Sequence, residues 1–119
     1  MIFPGGMPGS EKLAANAELM EIMRDHYAMG GSLAAICAAP GLVLSQLDDV
    51  EGLQFTCFDG FQDRLCAKGA VFQPDGCVVH GRIISGRSAG WATEFGLAIL
   101  EYLKGREASE EVRRALFLS

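Results

Sequence analysis

The stretch SLAAICAAP, residues 32–40, decides the fold class. Residues 32–36 are short, uncharged and apolar, which is typical of a β-strand that is covered on both faces. Pro40 is tolerated in the first turn of a helix, so the residues from Pro40 to Leu47 predict a helix. A strand that leads directly into a helix indicates an α/β layered domain, and Cys37 lies at the junction.

The segment before this stretch predicts a similar unit. Residues 1–3 are apolar and are followed by the loop PGGMPGS, which has the composition of a turn. Ser10 is the expected N-cap of a helix whose apolar stripe continues to about His26 or Met29. The glycines at positions 30–31 are expected to end that helix.

The segment after it continues the alternation of strands and helices. Residues 53–57 predict a strand, and the stretch that ends at Gly69 predicts a short helix. Turn signals within residues 70–86 predict a β-hairpin beside the main sheet. A long helix is expected at residues 90–103, followed by a last short helix that Ser109 caps. This order predicts an α/β fold with a mostly parallel sheet.

Length and composition restrict the class of protein. The 119 residues, half of them hydrophobic and with a positive mean hydropathy, predict one folded domain over residues 1–119. The formal net charge of −5 argues against a nucleic-acid binder and against a polybasic membrane anchor. No apolar run approaches the about 20 residues of a membrane span. The first residues lack the features of a signal peptide, so a cytoplasmic location is expected.

Cysteine and histidine usage bears on metal binding. The four cysteines, at positions 37, 57, 66 and 77, are expected to be reduced thiols in the cytoplasm. They form no C-x-x-C pair, and the chain has only two histidines, His26 and His80. A metal centre is therefore not expected, and both histidines are predicted to be surface or packing residues.

Cys37 combines a strand end, small neighbours and a following helix, which is the pattern of a nucleophile elbow. The positive end of the helix favours a thiolate, and its free N–H groups could stabilise an oxyanion or an oxidised cysteine. Cys37 could equally fill space in a hydrophobic core, because free cysteine is among the most buried residue types. Position alone leaves both interpretations open.

The loop PGG, residues 4–6, adds a second observation. It also follows an apolar strand, so it is expected at the same edge of a parallel sheet as Cys37. Its glycines allow close approach of the backbone to a ligand or an oxyanion. Two such loops after two strands favour a site at that edge.

Three motifs together resemble the ThiJ/PfpI superfamily, and specifically its DJ-1/YajL-like branch. They are FPGGMPGSEKL at residues 3–13, AAICAAP at residues 34–40 and ISGRSAGWATEFGLAILEYLKG at residues 84–105. The resemblance implies a flavodoxin-like three-layer α/β sandwich that is usually dimeric and has no metal or organic cofactor. It also implies that Cys37 is the reactive cysteine and that the backbone N–H groups of Gly6 and Ala38 face its sulfur.

The resemblance implies several functions for such a chain. The first is a cofactor-independent, cysteine-dependent enzyme that acts on small reactive carbonyls, as a glyoxalase or deglycase. The alternative is a redox-sensing or chaperone-like stress protein in which Cys37 is oxidised, to a sulfinate that loop N–H groups hold, without turnover. Ala38 stands where the protease-like branch has a histidine, so peptidase activity is not expected.

The chain departs from the family pattern in its candidate acid–base groups. Family members carry a β-α-β unit, with the glutamate that hydrogen-bonds the reactive sulfur, ahead of the PGG loop, and that unit is not found here. The chain is therefore expected to be a carboxyl-terminal portion, completed by a second polypeptide, by an identical subunit or by further residues. Cys57 and Phe58 stand where the branch often has a histidine, which removes another possible acid–base partner. Glu18 and Glu21 lie on the wrong helix to replace the missing glutamate, and Glu94 is predicted to be a packing or capping residue.

Overall fold

The structure, a computed structural model, describes residues 1–118, which contain six short β-strands and six α-helices. The strands are β1 (Ile2–Phe3), β2 (Leu33–Ile36), β3 (Gln54–Phe55), β4 (Val71–Phe72), β5 (Cys77–His80) and β6 (Ile83–Gly86). The helices are α1 (Gly9–Ala15), α2 (Ala17–Ala28), α3 (Ala39–Val43), α4 (Asp63–Ala67), α5 (Ala92–Lys104) and α6 (Arg106–Ala115). Single turns of 3₁₀-helix, Leu44–Gln46 and Ala89–Trp91, extend α3 and precede α5.

The main sheet has four strands in the order β1-β2-β6-β5. The first three are parallel, with Phe3 opposite Ala35 and Ala35 opposite Ser85, and β5 runs antiparallel to β6. This confirms an α/β fold with a mostly parallel sheet. The hairpin is not beside the sheet, because β6 lies inside it, between β2 and β5. β4, from the same predicted hairpin, pairs instead with β3 in a separate parallel two-stranded sheet.

Both faces of β2 are covered, as its apolar composition predicted. Leu33 and Ala35 face a large core cluster that also contains Met20 and Met23 of α2. Ala34 and Ile36 face a smaller cluster built with β6 and α5. The domain therefore has three layers, with helices on both sides of the main sheet.

The two serines predicted as helix caps have other roles. Ser10 lies inside α1, is fully buried, and its hydroxyl donates to the Pro4 carbonyl at 3.2 Å. Ser109 lies inside α6, and its hydroxyl donates to the Leu97 carbonyl on α5 at 3.2 Å. Both predictions are wrong because these hydroxyl groups bond carbonyls that the fold brings to them.

The helix predicted up to Met29 is also divided in two. Asn16 separates α1 from α2, and its side-chain oxygen accepts a hydrogen bond from the Leu19 N–H at 3.0 Å, which makes Asn16 the N-cap of α2. None of the helices in the described part of the chain is both long enough and apolar enough to cross a membrane.

Candidate functional site

Cys37 forms the sharp turn between β2 and α3. Its φ is 67°, in the left-handed region that residues other than glycine rarely adopt. Two hydrogen bonds hold this conformation: the Cys37 N–H donates to the Gly86 carbonyl at 2.9 Å, and the Cys37 carbonyl accepts from the Phe58 N–H at 2.8 Å. The residue is half-buried. This is the sharp turn that the elbow pattern predicted. Its two hydrogen bonds join it to the end of β6, at Gly86, and to the segment after β3, at Phe58.

Gly5 contacts Cys37 across the sheet edge. Because Phe3 is opposite Ala35 in the parallel pair, the residues two positions further on, Gly5 and Cys37, meet in the loops. A Cβ atom on Gly5 would lie 2.5 Å from the Cys37 Cβ and 2.9 Å from the Ile36 carbonyl oxygen. No side chain fits there. Sequence reasoning singled out Gly6 and missed this contact, although strand register could have indicated it.

The two predicted amide donors lie on either side of this contact. Gly6 is exposed with φ 92°, and its carbonyl accepts from the Ser10 N–H at 2.9 Å, which opens α1. Ala38 is buried, and its carbonyl accepts from the Leu42 N–H at 3.3 Å, at the start of α3. Within residues 1–118, neither the Gly6 N–H nor the Ala38 N–H donates a hydrogen bond to another residue. Their role as oxyanion donors remains a prediction.

Thr56 and Cys57, the two residues after β3, are fully buried. Burial is the main cause that raises the pKa of the Cys57 thiol to about 12, and the nearby Cys66 and Asp59 raise it further. The Thr56 N–H donates to the Ser85 hydroxyl at 2.9 Å. Among residues 1–118, the buried Thr56 hydroxyl has no hydrogen-bond partner of its own.

An ion pair joins the two segments that hold Cys37. Arg87 follows Gly86 at the end of β6, Asp59 follows Phe58, and the Arg87 guanidinium bonds the Asp59 carboxylate at 2.8 Å. Arg87 also donates to the Pro74 carbonyl. The ion pair therefore holds the loop that contains Phe58, whose N–H donates to the Cys37 carbonyl. Sequence reasoning missed it because the two residues are far apart in the chain.

The other ionisable residues considered from the sequence lie elsewhere. His26 contacts the Ser32 carbonyl at 3.0 Å, and His80 Nδ1 accepts from the Gln54 N–H at 2.7 Å, so both hold backbone segments. The Glu94 carboxylate accepts two hydrogen bonds from Arg113, at 2.7 and 3.0 Å, and this lowers the pKa of Glu94. Glu18 and Glu21 are exposed on α2.

The described residues show no metal centre. Among residues 1–118, no group of three or more His, Cys, Asp or Glu side chains is arranged to hold a metal ion. At the edge of the sheet, the groups suited to chemistry are a thiol on a strained turn and free backbone N–H groups in the loops on both sides of it.

Comparison with known proteins gives one consistent result. The DJ-1/PfpI family model matches residues 1–102. The chain is 32% identical to the glutathione-independent glyoxalase DJR-1.2 of Caenorhabditis elegans, over 100% of this chain and 62% of that protein. The crystal structure of Drosophila melanogaster DJ-1beta matches with a TM-score of 0.88 at 32% identity, over 99% of this chain and 63% of that one. Toxoplasma gondii DJ-1, oxidized, matches with a TM-score of 0.86 at 29% identity, over 97% of this chain and 61% of that one. The chain thus spans less than two thirds of the length of these relatives.

Proposed function

Because the chain belongs to the DJ-1/PfpI family, we propose that Cys37 is the nucleophile of a cofactor-independent reaction on small reactive carbonyls, of glyoxalase or deglycase type. The observation that carries this proposal is the position of Cys37, at φ 67° on the turn after β2 and in contact with Gly5. A strained turn of this kind presents a nucleophile at the sheet edge. The C. elegans relative, itself named a glyoxalase, supports the choice of substrate class.

The proposed reaction converts a 2-oxoaldehyde and water into a 2-hydroxy acid. The Cys37 thiolate adds to the aldehyde carbon and forms a hemithioacetal, whose negative oxygen accepts hydrogen bonds from the N–H groups of Gly6 and Ala38. A base then moves the proton from that carbon to the neighbouring carbonyl carbon, which is reduced while the first carbon becomes a thioester. Water hydrolyses the thioester, which releases the acid and restores the thiol.

The reaction also needs a base, and we do not assign that role to Asp59, Glu94, Glu18 or Glu21. The Glu94 carboxylate is bonded to Arg113, and the Asp59 carboxylate is bonded to Arg87. Glu18 and Glu21 are exposed on α2. We therefore propose that a carboxylate from a second subunit, from a second polypeptide or from a further segment completes the site, in a homo-oligomer or a two-chain assembly.

The test compares the rate of methylglyoxal consumption in three proteins. Cys37→Ser is expected to lower the rate at least about a hundredfold, because serine is a far weaker nucleophile at neutral pH. Cys66→Ser, which changes an exposed thiol on α4, is the matched control and is expected to retain the rate. Equal consumption in Cys37→Ser and in the unmodified protein would end the proposal.

A second candidate function uses the same thiol without turnover. In a redox sensor, a hydroperoxide oxidises Cys37 before the other three cysteines. The half-buried position of Cys37, next to free backbone N–H groups, favours this candidate, and the structure of the T. gondii relative is that of an oxidized protein. Peptide mass spectrometry after brief peroxide treatment tests the order of oxidation, and first oxidation at Cys66 or Cys77 would contradict it.

A further inference from the structure

A second thiol, that of Cys57, lies next to the reactive position and has no part in the carbonyl chemistry. The hydrogen bond from the Phe58 N–H to the Cys37 carbonyl, at 2.8 Å, joins the two turns, and Cys57 is bonded directly to Phe58. Fixed peptide geometry then limits the Cα–Cα separation of Cys37 and Cys57 to about 7.6 Å or less. Disulfides occur at Cα–Cα separations of about 4.4–6.8 Å. This upper limit lies just beyond that range, so the Cα–Cα separation by itself does not prevent a disulfide.

The two thiols differ in how accessible they are to an oxidant. Cys37 is half-buried, whereas Cys57 is fully buried, so a small oxidant reaches Cys37 first. Burial is the main cause that raises the pKa of Cys57 to about 12; Cys66 and Asp59 raise it further, Arg87 lowers it, and negative charge on Cys37 raises it too.

We propose that Cys57 is the resolving thiol of Cys37, so that oxidation by a hydroperoxide ends in an intramolecular Cys37–Cys57 disulfide. The Cys37 thiolate attacks the peroxide, takes up one oxygen as a sulfenic acid and releases water or an alcohol. The Cys57 sulfur then attacks the Cys37 sulfur; the S–S bond forms, the S–O bond breaks, and the Cys57 proton leaves with the hydroxyl group as water. This inference rests on the proposed reactivity of Cys37.

A resolving thiol at Cys57 determines how far the oxidation of Cys37 proceeds. The disulfide forms in competition with further oxidation to sulfinic acid, which is not readily reversed. Cys57 thus keeps the oxidation of Cys37 reversible by thiols.

The experiment maps the products of mild oxidation. The reduced protein is treated with one equivalent of hydrogen peroxide, its free thiols are blocked with N-ethylmaleimide, and its peptides are analysed by mass spectrometry without reductant. The expected product is a linked pair of peptides that contain Cys37 and Cys57, at the expense of sulfinic acid. Cys57→Ala is expected to accumulate about tenfold more sulfinic acid at Cys37. Cys77→Ala, which changes a half-buried thiol on β5, is the matched control and should leave the disulfide unchanged.

The outcomes separate this inference from the proposed function. If the protein consumes methylglyoxal but peroxide gives only sulfinic acid at Cys37, or a link between Cys57 and Cys66, the resolving role is overturned and the carbonyl chemistry stands. If Cys37 reacts with neither methylglyoxal nor peroxide, both fall. A Cys37–Cys57 link without methylglyoxal consumption supports the resolving role within a redox sensor. The mapping of the unmodified protein decides these outcomes even if Cys57→Ala does not fold.

Discussion

Cys37 carries the strain on which its proposed chemistry depends. A non-glycine residue in the left-handed region costs about 1–2 kcal/mol relative to one in an ordinary conformation. At φ 67°, Cys37 keeps this conformation because the Gly86 carbonyl and the Phe58 N–H bond its peptide groups from two sides. Gly5, packed against it, leaves no room for the turn to relax in that direction.

This strain predicts that glycine at position 37 gives a more stable protein than alanine, which is the reverse of the usual order. Cys37→Gly is expected to exceed Cys37→Ala in free energy of unfolding by about 1 kcal/mol, because glycine adopts a positive φ without steric cost. In contrast, Ala35→Gly, in the regular strand β2, is expected to lower the free energy of unfolding by at least about 0.5 kcal/mol. Urea unfolding of the three variants and the unmodified protein measures both effects. If Cys37→Ala is the more stable variant at position 37, the elbow is not strained in solution.

The buried thiol of Cys57 is expected to make the protein less stable at alkaline pH. Burial raises the pKa of its thiol to about 12 in the folded protein, whereas the same thiol in the unfolded chain ionises near 9.0. Between these values the unfolded state binds fewer protons, so the free energy of unfolding falls as pH rises, by up to about 1.4 kcal/mol per unit. The contribution is complete below the unfolded pKa. Urea unfolding at a series of pH values should show a shallower decline in Cys57→Ala, and equal slopes would contradict this origin.

Strand β2 and the elbow after it could be predicted because neighbouring residues determine them. Four consecutive apolar residues, Leu33–Ile36, made a strand buried on both faces the expected structure, and the small residues after Cys37 made a tight turn possible. The cap predictions failed at Ser10 and Ser109 for the opposite reason. Their partners, the carbonyls of Pro4 and Leu97, are set by the fold and not by local pattern.

The rest of the site depends on strand register and on contacts between distant segments. Gly5 meets Cys37 only because β1 and β2 pair with one particular register. Asp59 and Arg87 meet only because the loop after β3 reaches the end of β6. A local pattern contains none of this information, which is why the sequence indicated the thiol but not the contacts that hold it.

Helix α3 is seated against a neighbouring loop so tightly that one glycine is required. A Cβ atom on Gly41 would collide with the Phe61 carbonyl group, which is backbone and cannot move aside cheaply. Gly41→Ala is therefore expected to lower the free energy of unfolding by about 3 kcal/mol. Gly96→Ala, in α5, meets nothing within 4 Å and should raise it by about 0.5–1 kcal/mol, since alanine is the better helix former.

Thermal and urea unfolding of the two glycine variants provide the measurement. The same methyl group is added in both, so intrinsic helix propensity favours both equally, and an opposite sign isolates the packing of α3. A stabilising effect at both positions would mean that α3 is not held against the Phe61 loop.

The two faces of the main sheet are covered unequally. One face carries the large core cluster with α2, α3 and β3, whereas the other packs a small cluster of β2 and β6 against α5 alone. Beside α5, a groove with mainly apolar walls runs to the edge strand β1 and is lined by Ile2, Tyr102 and Leu103, among others. An edge strand next to exposed apolar side chains is a surface that proteins normally cover by association.

Assembly through this groove is the last prediction. Ile2 and Leu103 are 58% and 63% exposed, and covering them removes apolar surface from water, so the chain is expected to associate with itself or with a second chain. Leu103→Glu would put a charge into the groove and is expected to shift the protein towards the monomer in sedimentation velocity, because a charge buried without a partner is costly. Met29→Glu, at an 88% exposed site after α2, is the matched control and should leave the distribution unchanged. A monodisperse monomer in both variants and in the unmodified protein would contradict the oligomer, and an equal shift in both would place the interface outside the groove.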